Sequence, residues 1–116
     1  MGGDGWPSGW LRGVIELAVL AIAAEGETYG YALGSRLAEA GLGKIKGGTL
    51  YPILNRLEES GALAAEWRQG DGGPGRKFYW ITEEGQVRLL LEQQQWLTFS
   101  ARATSIINPK GRPNDA

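Results

Sequence analysis

The fold of this chain is decided by residues 48–61, GTLYPILNRLEESG, and by the two segments ALAAEWR (62–68) and KFYWI (77–81) that follow. In the first segment, apolar side chains recur at the spacing of one helix face; they are Leu50, Ile53, Leu54 and Leu57. Gly61 follows where a glycine would end the helix. Between the other two lies QGDGGPGR (69–76), which has no pattern of regular structure. We therefore predict a helix over about 48–60 followed directly by a β-hairpin with a glycine-rich tip.

Working outward, the flanking sequence predicts two more elements of the same domain. Residues 29–40 carry Leu33 and Leu37 on one helix face, with Thr28 as the predicted N-cap and Gly41-Leu42-Gly43 as the predicted end. Downstream, Thr82 is the predicted N-cap of a last long helix that runs to about residue 107. Two helices joined by a glycine-containing turn and followed by a hairpin indicate a winged helix-turn-helix.

The predicted fold class is therefore mostly α with a small β-hairpin, a winged helix-turn-helix plus one long C-terminal helix. We expect a flexible N-terminal arm at 1–9, a winged helix-turn-helix DNA-binding domain at 10–82, a C-terminal dimerisation helix at 83–108 and a disordered tail at 109–116.

The first predicted helix, residues 10–25, is apolar on every side and needs to be buried on every side. In a chain of 116 residues a single domain has little material to surround it. This pattern favours a homodimer in which a second copy covers the far side. The alternative is a central core helix within a monomer.

Composition narrows the function further. The chain has no cysteine and no histidine, which excludes disulfides, zinc knuckles and the commonest general base, and we expect neither a metal nor a cofactor. Adjacent carboxylates occur only as Glu58-Glu59 and Glu83-Glu84 at helix ends, where they suit capping or solvation, so we do not expect an enzyme. The longest apolar stretch, 14–24, is interrupted by Glu16 and too short to cross a bilayer, and the N-terminus lacks the basic region of a signal peptide. We expect a cytoplasmic protein that does not enter membranes.

The net charge of −1 does not by itself suggest a nucleic-acid partner, but the local charge does. Residues 44–82 hold six basic side chains against four acidic ones. The candidate DNA-contacting residues lie in the turn before the third helix, on its polar side and at the wing; they are Lys44, Lys46, Thr49, Tyr51, Asn55, Arg56, Arg76 and Lys77. The alternative is an ordinary solvated surface.

Three runs of sequence, YGYAL (29–33), GTLYPILNRLEESG (48–61) and GRKFYWITEEG (75–85), strongly resemble the PadR family of bacterial transcriptional regulators, and the resemblance covers about residues 11–100. It implies a dimeric winged-helix repressor whose first and last helices form the dimer contact. By the same resemblance Thr49, Tyr51 and Arg56 match family residues that face DNA. Arg76 and Lys77 match the basic start of the wing's second strand, and Tyr29 opens helix two with a role divided between packing and a phosphate contact. Gly47-Gly48 departs from the family pattern and makes the start of the third helix more mobile.

Trp96 lies among three glutamines of the last helix and has two interpretations. It packs in the dimer core, or it flanks a pore between subunits in which flat aromatic compounds stack. In the small multidrug-responsive members that the chain resembles, a tryptophan follows the glycine of the T-E-x-G turn at the separation of Gly85 and Trp96. The candidate ligand-binding residues are Trp10, Leu17, Ala21, Leu89, Gln93, Trp96 and Ser100.

The resemblance, taken with these patterns, implies a dimer that represses by occupying a pseudo-palindromic double-stranded DNA operator. A planar aromatic effector would release it by favouring a dimer geometry that no longer fits the spacing of the half-sites. The alternative function is a winged-helix protein-interaction module without DNA binding or without a small-molecule effector.

Overall fold

The computed structural model describes residues 5–70 and 72–109. The elements in chain order are α1 (Ser8–Ala23), β1 (Thr28–Tyr29), α2 (Gly30–Glu39), α3 (Gly47–Glu59), β2 (Leu63–Arg68), β3 (Arg76–Ile81) and α4 (Glu83–Ile107). Four helices with a small antiparallel sheet confirm the predicted fold class. In these two described ranges, none of the helices combines the length and the apolar character needed to cross a membrane.

The core lies where α1, α2 and α3 meet the sheet. All four members of the predicted α3 stripe are buried, together with residues from α1, α2 and β3; the largest fully buried side chains are Tyr79, Leu20, Leu33, Leu37, Leu54, Leu57, Leu63 and Val19. The spacing of apolar residues in α2 and α3 therefore identified the face that packs inward. At about 25 cal/mol per Å² of apolar surface, burial of these side chains is the dominant stabilising contribution.

The sheet has three strands in the order β1-β3-β2, one more than the hairpin predicted from the sequence. Thr28 pairs with Tyr79 and Tyr29 with Phe78, so Thr28 is a buried strand residue and its prediction as the N-cap of α2 was wrong. The backbone of Tyr29 is extended and α2 begins at Gly30 without a side-chain cap. The edge of β3 that β2 does not cover explains why Thr28 and Tyr29 form a strand. They pair with backbone N–H and C=O groups of β3 that would otherwise lack a partner in the sheet.

The predicted end of α2 and the predicted cap of α4 are confirmed. Gly41 has φ +89, and the N–H of Leu42 donates to the carbonyl of Leu37 at 3.1 Å, which is the hydrogen bond of a glycine-terminated helix. At the start of α4, the hydroxyl of Thr82 accepts from the N–H of Gly85 at 2.9 Å. These caps orient α3 against α2 and α4 against the sheet.

The first helix begins at Ser8, two residues before the predicted position, because the carbonyl of Pro7 accepts the first hydrogen bonds of the helix, from the N–H groups of Trp10 and Leu11 at 3.0 and 3.2 Å. The indole of Trp6 donates to the carbonyl of Gly41 at 2.7 Å, so residue 6 packs on the turn between α2 and α3. Of the predicted arm, residues 1–4 lie outside the described residues. Of the predicted tail, residues 110–116 do so as well.

Candidate nucleic-acid interface

Helix α3 presents its polar side away from the core, and its start is open. Lys46 is the N-cap residue and makes no side-chain cap, and the next two residues are glycines, so the first-turn N–H groups are free of a capping side chain. The positive end of the helix dipole and the exposed side chains of Lys44 and Lys46 lie at this end, with exposed Thr49 nearby. Such an arrangement suits an anionic oxygen, as on a phosphate.

Tyr51 connects the start of α3 to the start of α2. A Cβ added at Gly30 would overlap the hydroxyl of Tyr51 and lie 2.8 Å from its Cζ, so a larger residue there would displace the Tyr51 ring from this position. The Tyr51 side chain remains 49% exposed and lines the space between α3 and the wing. One side of the ring therefore packs on Gly30, while the rest of the side chain stays exposed.

The wing, which is the hairpin of β2 and β3 (63–81), carries together with β1 a row of two adjacent aromatic rings with a cation at each end. The guanidinium of Arg76 lies 4.3 Å from the ring centroid of Tyr29, Tyr29 meets Phe78 edge-on at 5.5 Å, and Arg68 lies 4.5 Å from the Phe78 centroid. Contacts of this kind stabilise by about 0.5–1 kcal/mol each at exposed sites. They hold the exposed Arg76 at a defined place on the wing.

The two arginines of this row differ in their acidic partners. Arg68 donates to both carboxylate oxygens of Glu27, at 2.6 and 2.8 Å, and also pairs with Glu66 at 3.3 Å. The hydrogen bond from Arg68 holds the pKa of Glu27 below its ordinary value. Within residues 5–70 and 72–109, Arg76 has no carboxylate within ion-pair distance. Arg68 therefore ties the tip end of β2 to Glu27, whereas Arg76, its partner in the strand register, makes no such ion pair within the described ranges.

Two of the predicted DNA-contacting cations form ion pairs with carboxylates of the same chain. The ammonium of Lys77 lies 3.0 Å from a carboxylate oxygen of Glu58, and this hydrogen bond raises the pKa of Lys77. Its side chain is only 25% exposed, which places it between β3 and α3. Arg56 pairs at 3.2 Å with Glu16 of α1, on the side of α3 that faces away from the wing. Both pairs join elements distant in sequence, which the charge pattern of the chain does not reveal.

A cleft of about 940 Å³ lies between α3 and the wing. It brings together five of the nine predicted DNA-contacting residues: Tyr29, Tyr51, Asn55, Arg76 and Lys77. Lys44 lines a second depression of about 360 Å³ at the start of α3, which Tyr51 shares. The remaining three, Lys46, Thr49 and Arg56, line neither.

Two exposed aromatic residues of this cleft were not predicted as site residues. Tyr31 is 79% exposed and Trp67 of β2 is 69% exposed. The sequence signal that could have identified them is a large aromatic residue placed away from the core-facing side of its element. Tyr31, for example, lies outside the face formed by Leu33 and Leu37.

The predicted ligand-binding residues converge at a different place, between α1 and α4. A cleft of about 340 Å³ is lined by Val14, Leu17, Ala18 and Ala21 of α1 and by Leu89, Gln93, Trp96 and Leu97 of α4. Five of the seven predicted residues lie in it, whereas Trp10 and Ser100 do not line it. Trp10 is 69% exposed, one turn before the residues of α1 that form the wall. Trp96 is 39% exposed and makes a tilted contact with Phe99 at 6.0 Å.

Comparison with known proteins gives consistent results. A family model, the transcriptional regulator PadR-like family, matches residues 19–94. The transcriptional regulator Rv3488 of Mycobacterium tuberculosis is 38% identical over 78 residues, which span 67% of this chain and 71% of that protein. A PadR family transcriptional regulator from Eggerthella lenta superposes with a TM-score of 0.78 at 36% identity, covering 86% of this chain and 87% of its own. Bacillus subtilis PadR in complex with operator DNA has a TM-score of 0.62 at 26% identity, over 75% of this chain and 48% of that one.

Proposed function

This chain belongs to the transcriptional regulator PadR-like family, and from that premise we propose that it is a dimeric DNA-binding repressor released by flat aromatic molecules that bind between α1 and α4. A family of transcriptional regulators is not a family of enzymes, which agrees with the expectation drawn from the composition. The observation that carries the proposal is the surface formed by the uncapped start of α3 and by Arg76 of the wing, which has no carboxylate within ion-pair distance among residues 5–70 and 72–109.

On this surface the polar side of α3 enters the major groove of DNA. Thr49, Tyr51 and Asn55 reach base edges or phosphates from its exposed side, while Lys44 and Lys46 neutralise phosphates at its start. The ring of Tyr29 holds the guanidinium of Arg76 in place on the wing, where it contacts the adjacent sugar-phosphate backbone of the DNA. The operator complex of Bacillus subtilis PadR supports this assignment because the chain shares its fold over the matched region.

A homodimer supplies the second half of the interface. Besides Leu97, which also lines the cleft, α4 leaves other large apolar side chains mostly uncovered by the described elements; these are Val87, Leu90, Leu91, Phe99, Ile106 and Ile107, each more than half exposed. Exposed apolar area of this extent is typical of an interaction surface. A second copy is the partner that also places two α3 helices on successive major grooves, about 34 Å apart.

We expect light scattering to give twice the chain mass of 12.5 kDa. Replacing both Leu90 and Leu97 with lysine is expected to produce a monomer, because the two leucines lie one heptad apart on the same side of α4 and charges there oppose burial. Gln95→Lys is the control, since it adds a charge on the other side of the helix. A stable monomer of the unaltered chain at micromolar concentration would contradict the dimer.

The effector proposal depends on the α1–α4 cleft. Its volume, its mainly apolar walls, the Trp96 ring and the Gln93 amide are the features of a site that stacks a planar ligand and orients it with a few hydrogen bonds. Because the cleft lies beside the apolar surface of α4, a second chain would complete its walls. A ligand shifts the dimer geometry only by the difference between its affinities for the two geometries.

As a probe we use 1-anilinonaphthalene-8-sulfonate (ANS), whose negative charge keeps it from DNA. Trp96→Ala is expected to weaken ANS binding about tenfold or more, because the buried surface of an aromatic ring stabilises by about 1.5–3 kcal/mol. Trp6→Ala, a tryptophan that packs on the α2–α3 turn, is the matched control. Equal affinities of the two variants, measured by ANS fluorescence, would remove Trp96 from the binding site.

A further inference from the structure

One acidic side chain of α1 holds together three helices. The Oε1 atom of Glu16 accepts hydrogen bonds from Nε and Nη2 of Arg56 on α3, at 3.3 and 3.2 Å. Its Oε2 atom accepts from Nη2 of Arg88 on α4 at 2.8 Å. The Glu16 carboxylate therefore contacts two arginines, although its single negative charge can neutralise only one of them.

The contacts continue from Arg88 to both neighbouring elements. Its Nε donates to Glu92 at 2.8 Å, one turn along α4, and its Nη1 lies 3.4 Å from the hydroxyl of Ser60, the C-cap residue of α3. The side chains of Glu16, Arg88 and Glu92 are about one third exposed, at 33%, 29% and 32%. Water and dissolved ions screen the attraction of partly buried ion pairs less than that of fully exposed pairs. The group therefore orders these helices more than a surface pair would.

This ionic group lies between the two sites of the molecule. Glu16 immediately precedes Leu17, which lines the α1–α4 cleft, and Arg88 immediately precedes Leu89, which lines its other wall. At about 100° per residue along a helix, Arg56 points about 100° away from Asn55, which lines the α3–wing cleft. The Arg56 guanidinium is thus directed to α1, although its side chain is 60% exposed.

We propose that Glu16 is a positioning residue for DNA recognition: it holds Arg56 against α1, keeps that charge from DNA phosphates, and sets the position of α3 relative to the helices that line the cleft. The inference rests on the proposed DNA binding. It differs from the sequence-based expectation that Arg56 itself contacts DNA. The physical reason is competition, because the carboxylate of Glu16 and a DNA phosphate are alternative partners for the same guanidinium.

The test is the salt dependence of binding to a random-sequence 20-base-pair duplex. Glu16→Gln is expected to release Arg56, so that the slope of log affinity against log salt steepens by about one unit and affinity at 0.15 M salt rises about fivefold. The double variant Glu16→Gln/Arg56→Gln is expected to return the slope to the wild-type value. Glu25→Gln is the matched control, since it breaks the Glu25–Arg36 pair of 2.8 Å at the end of α1, away from α3. Circular dichroism checks that each variant is folded.

The outcomes separate this proposal from the proposed function. Absence of salt dependence in the wild-type protein would overturn DNA binding itself. Normal salt dependence in the wild type with the same slope in Glu16→Gln would overturn only the role of Glu16. A shallower slope in the double variant than in the wild type would also overturn it, because Arg56 would then already contact phosphate in the unaltered protein.

A second consequence concerns the cleft. If Glu16 links the cleft to α3, ANS should weaken binding of the wild type to the same 20-base-pair duplex. This reduction should be at least about fivefold smaller in Glu16→Gln, since fivefold is the low end of ordinary coupling between two sites. Equal reductions in both proteins would overturn the linking role. No reduction in the wild type would overturn effector release, while the salt slopes still decide whether Glu16 withholds Arg56.

Discussion

Gly85→Ala is expected to lower the free energy of unfolding by about 2–3 kcal/mol, the upper part of the range for overpacking a core. A Cβ at this position would overlap the carbonyl oxygen of Ala62 and lie 2.7 Å from Cγ1 of Ile81. The first of these atoms belongs to the backbone, so it has no rotamer into which to retreat. The better helix propensity of alanine offsets at most about 1 kcal/mol of the cost.

The close approach at Gly85 is a property of the junction between α4 and the sheet. Thr82 caps α4 through the N–H of Gly85, and its hydroxyl lies 2.5 Å from the carbonyl oxygen of Gly61, just after α3. The N–H of Thr82 also donates to Ala62 at 3.1 Å. A side chain at Gly85 would therefore strain the contacts that orient α4 relative to α3, in addition to destabilising the core.

Gly34→Ala in the middle of α2 is the matched control, because a Cβ there would meet no atom within 4 Å. It is expected to stabilise by about 0.5–1 kcal/mol, the ordinary difference between glycine and alanine in a helix. Thermal and chemical unfolding of the two variants should therefore move in opposite directions. A Gly85→Ala protein as stable as the unaltered chain would show that the junction is looser than its geometry indicates.

The largest expected effect on function is that of Lys44→Ala/Lys46→Ala. The double variant should lose about 30-fold in DNA affinity at 0.15 M salt and about two units of the salt slope, because each neutralised phosphate contributes about 0.9 to that slope. Both lysines are exposed at the uncapped start of α3, where the helix dipole adds to their attraction for an anion. Fluorescence anisotropy with a labelled duplex over a range of salt concentrations measures both quantities.

Arg36→Ala is the control, since it removes a cation of the neighbouring helix whose charge Glu25 already compensates at 2.8 Å. Its salt slope should stay near the wild-type value. If Lys44→Ala/Lys46→Ala has the same slope as the unaltered protein, the start of α3 makes no phosphate contacts. A slope near zero for every protein would favour a winged-helix module that binds only proteins.

The sequence predicted the elements that local patterns specify. The α3 stripe, the glycine at the end of α2 and the Thr82 cap all depend on residues within one or two turns of each other, and all three are confirmed. Strand β1 was missed because two residues carry no periodicity. Only the free edge of β3, contributed by residues some fifty positions later, makes Thr28 and Tyr29 a strand.

The candidate site shows the same division. Residue types and their spacing placed basic and aromatic side chains on the turn, on α3 and on the wing, because these choices are encoded locally. Which cations are free was decided by packing, since Arg56 meets Glu16 across 40 positions and Arg68 meets Glu27 across 41. A carboxylate so far along the chain comes within hydrogen-bond distance only after the helices and strands have packed. The sequence by itself therefore determined the elements and the kind of surface they form, and the tertiary structure decided which charges that surface leaves for a partner.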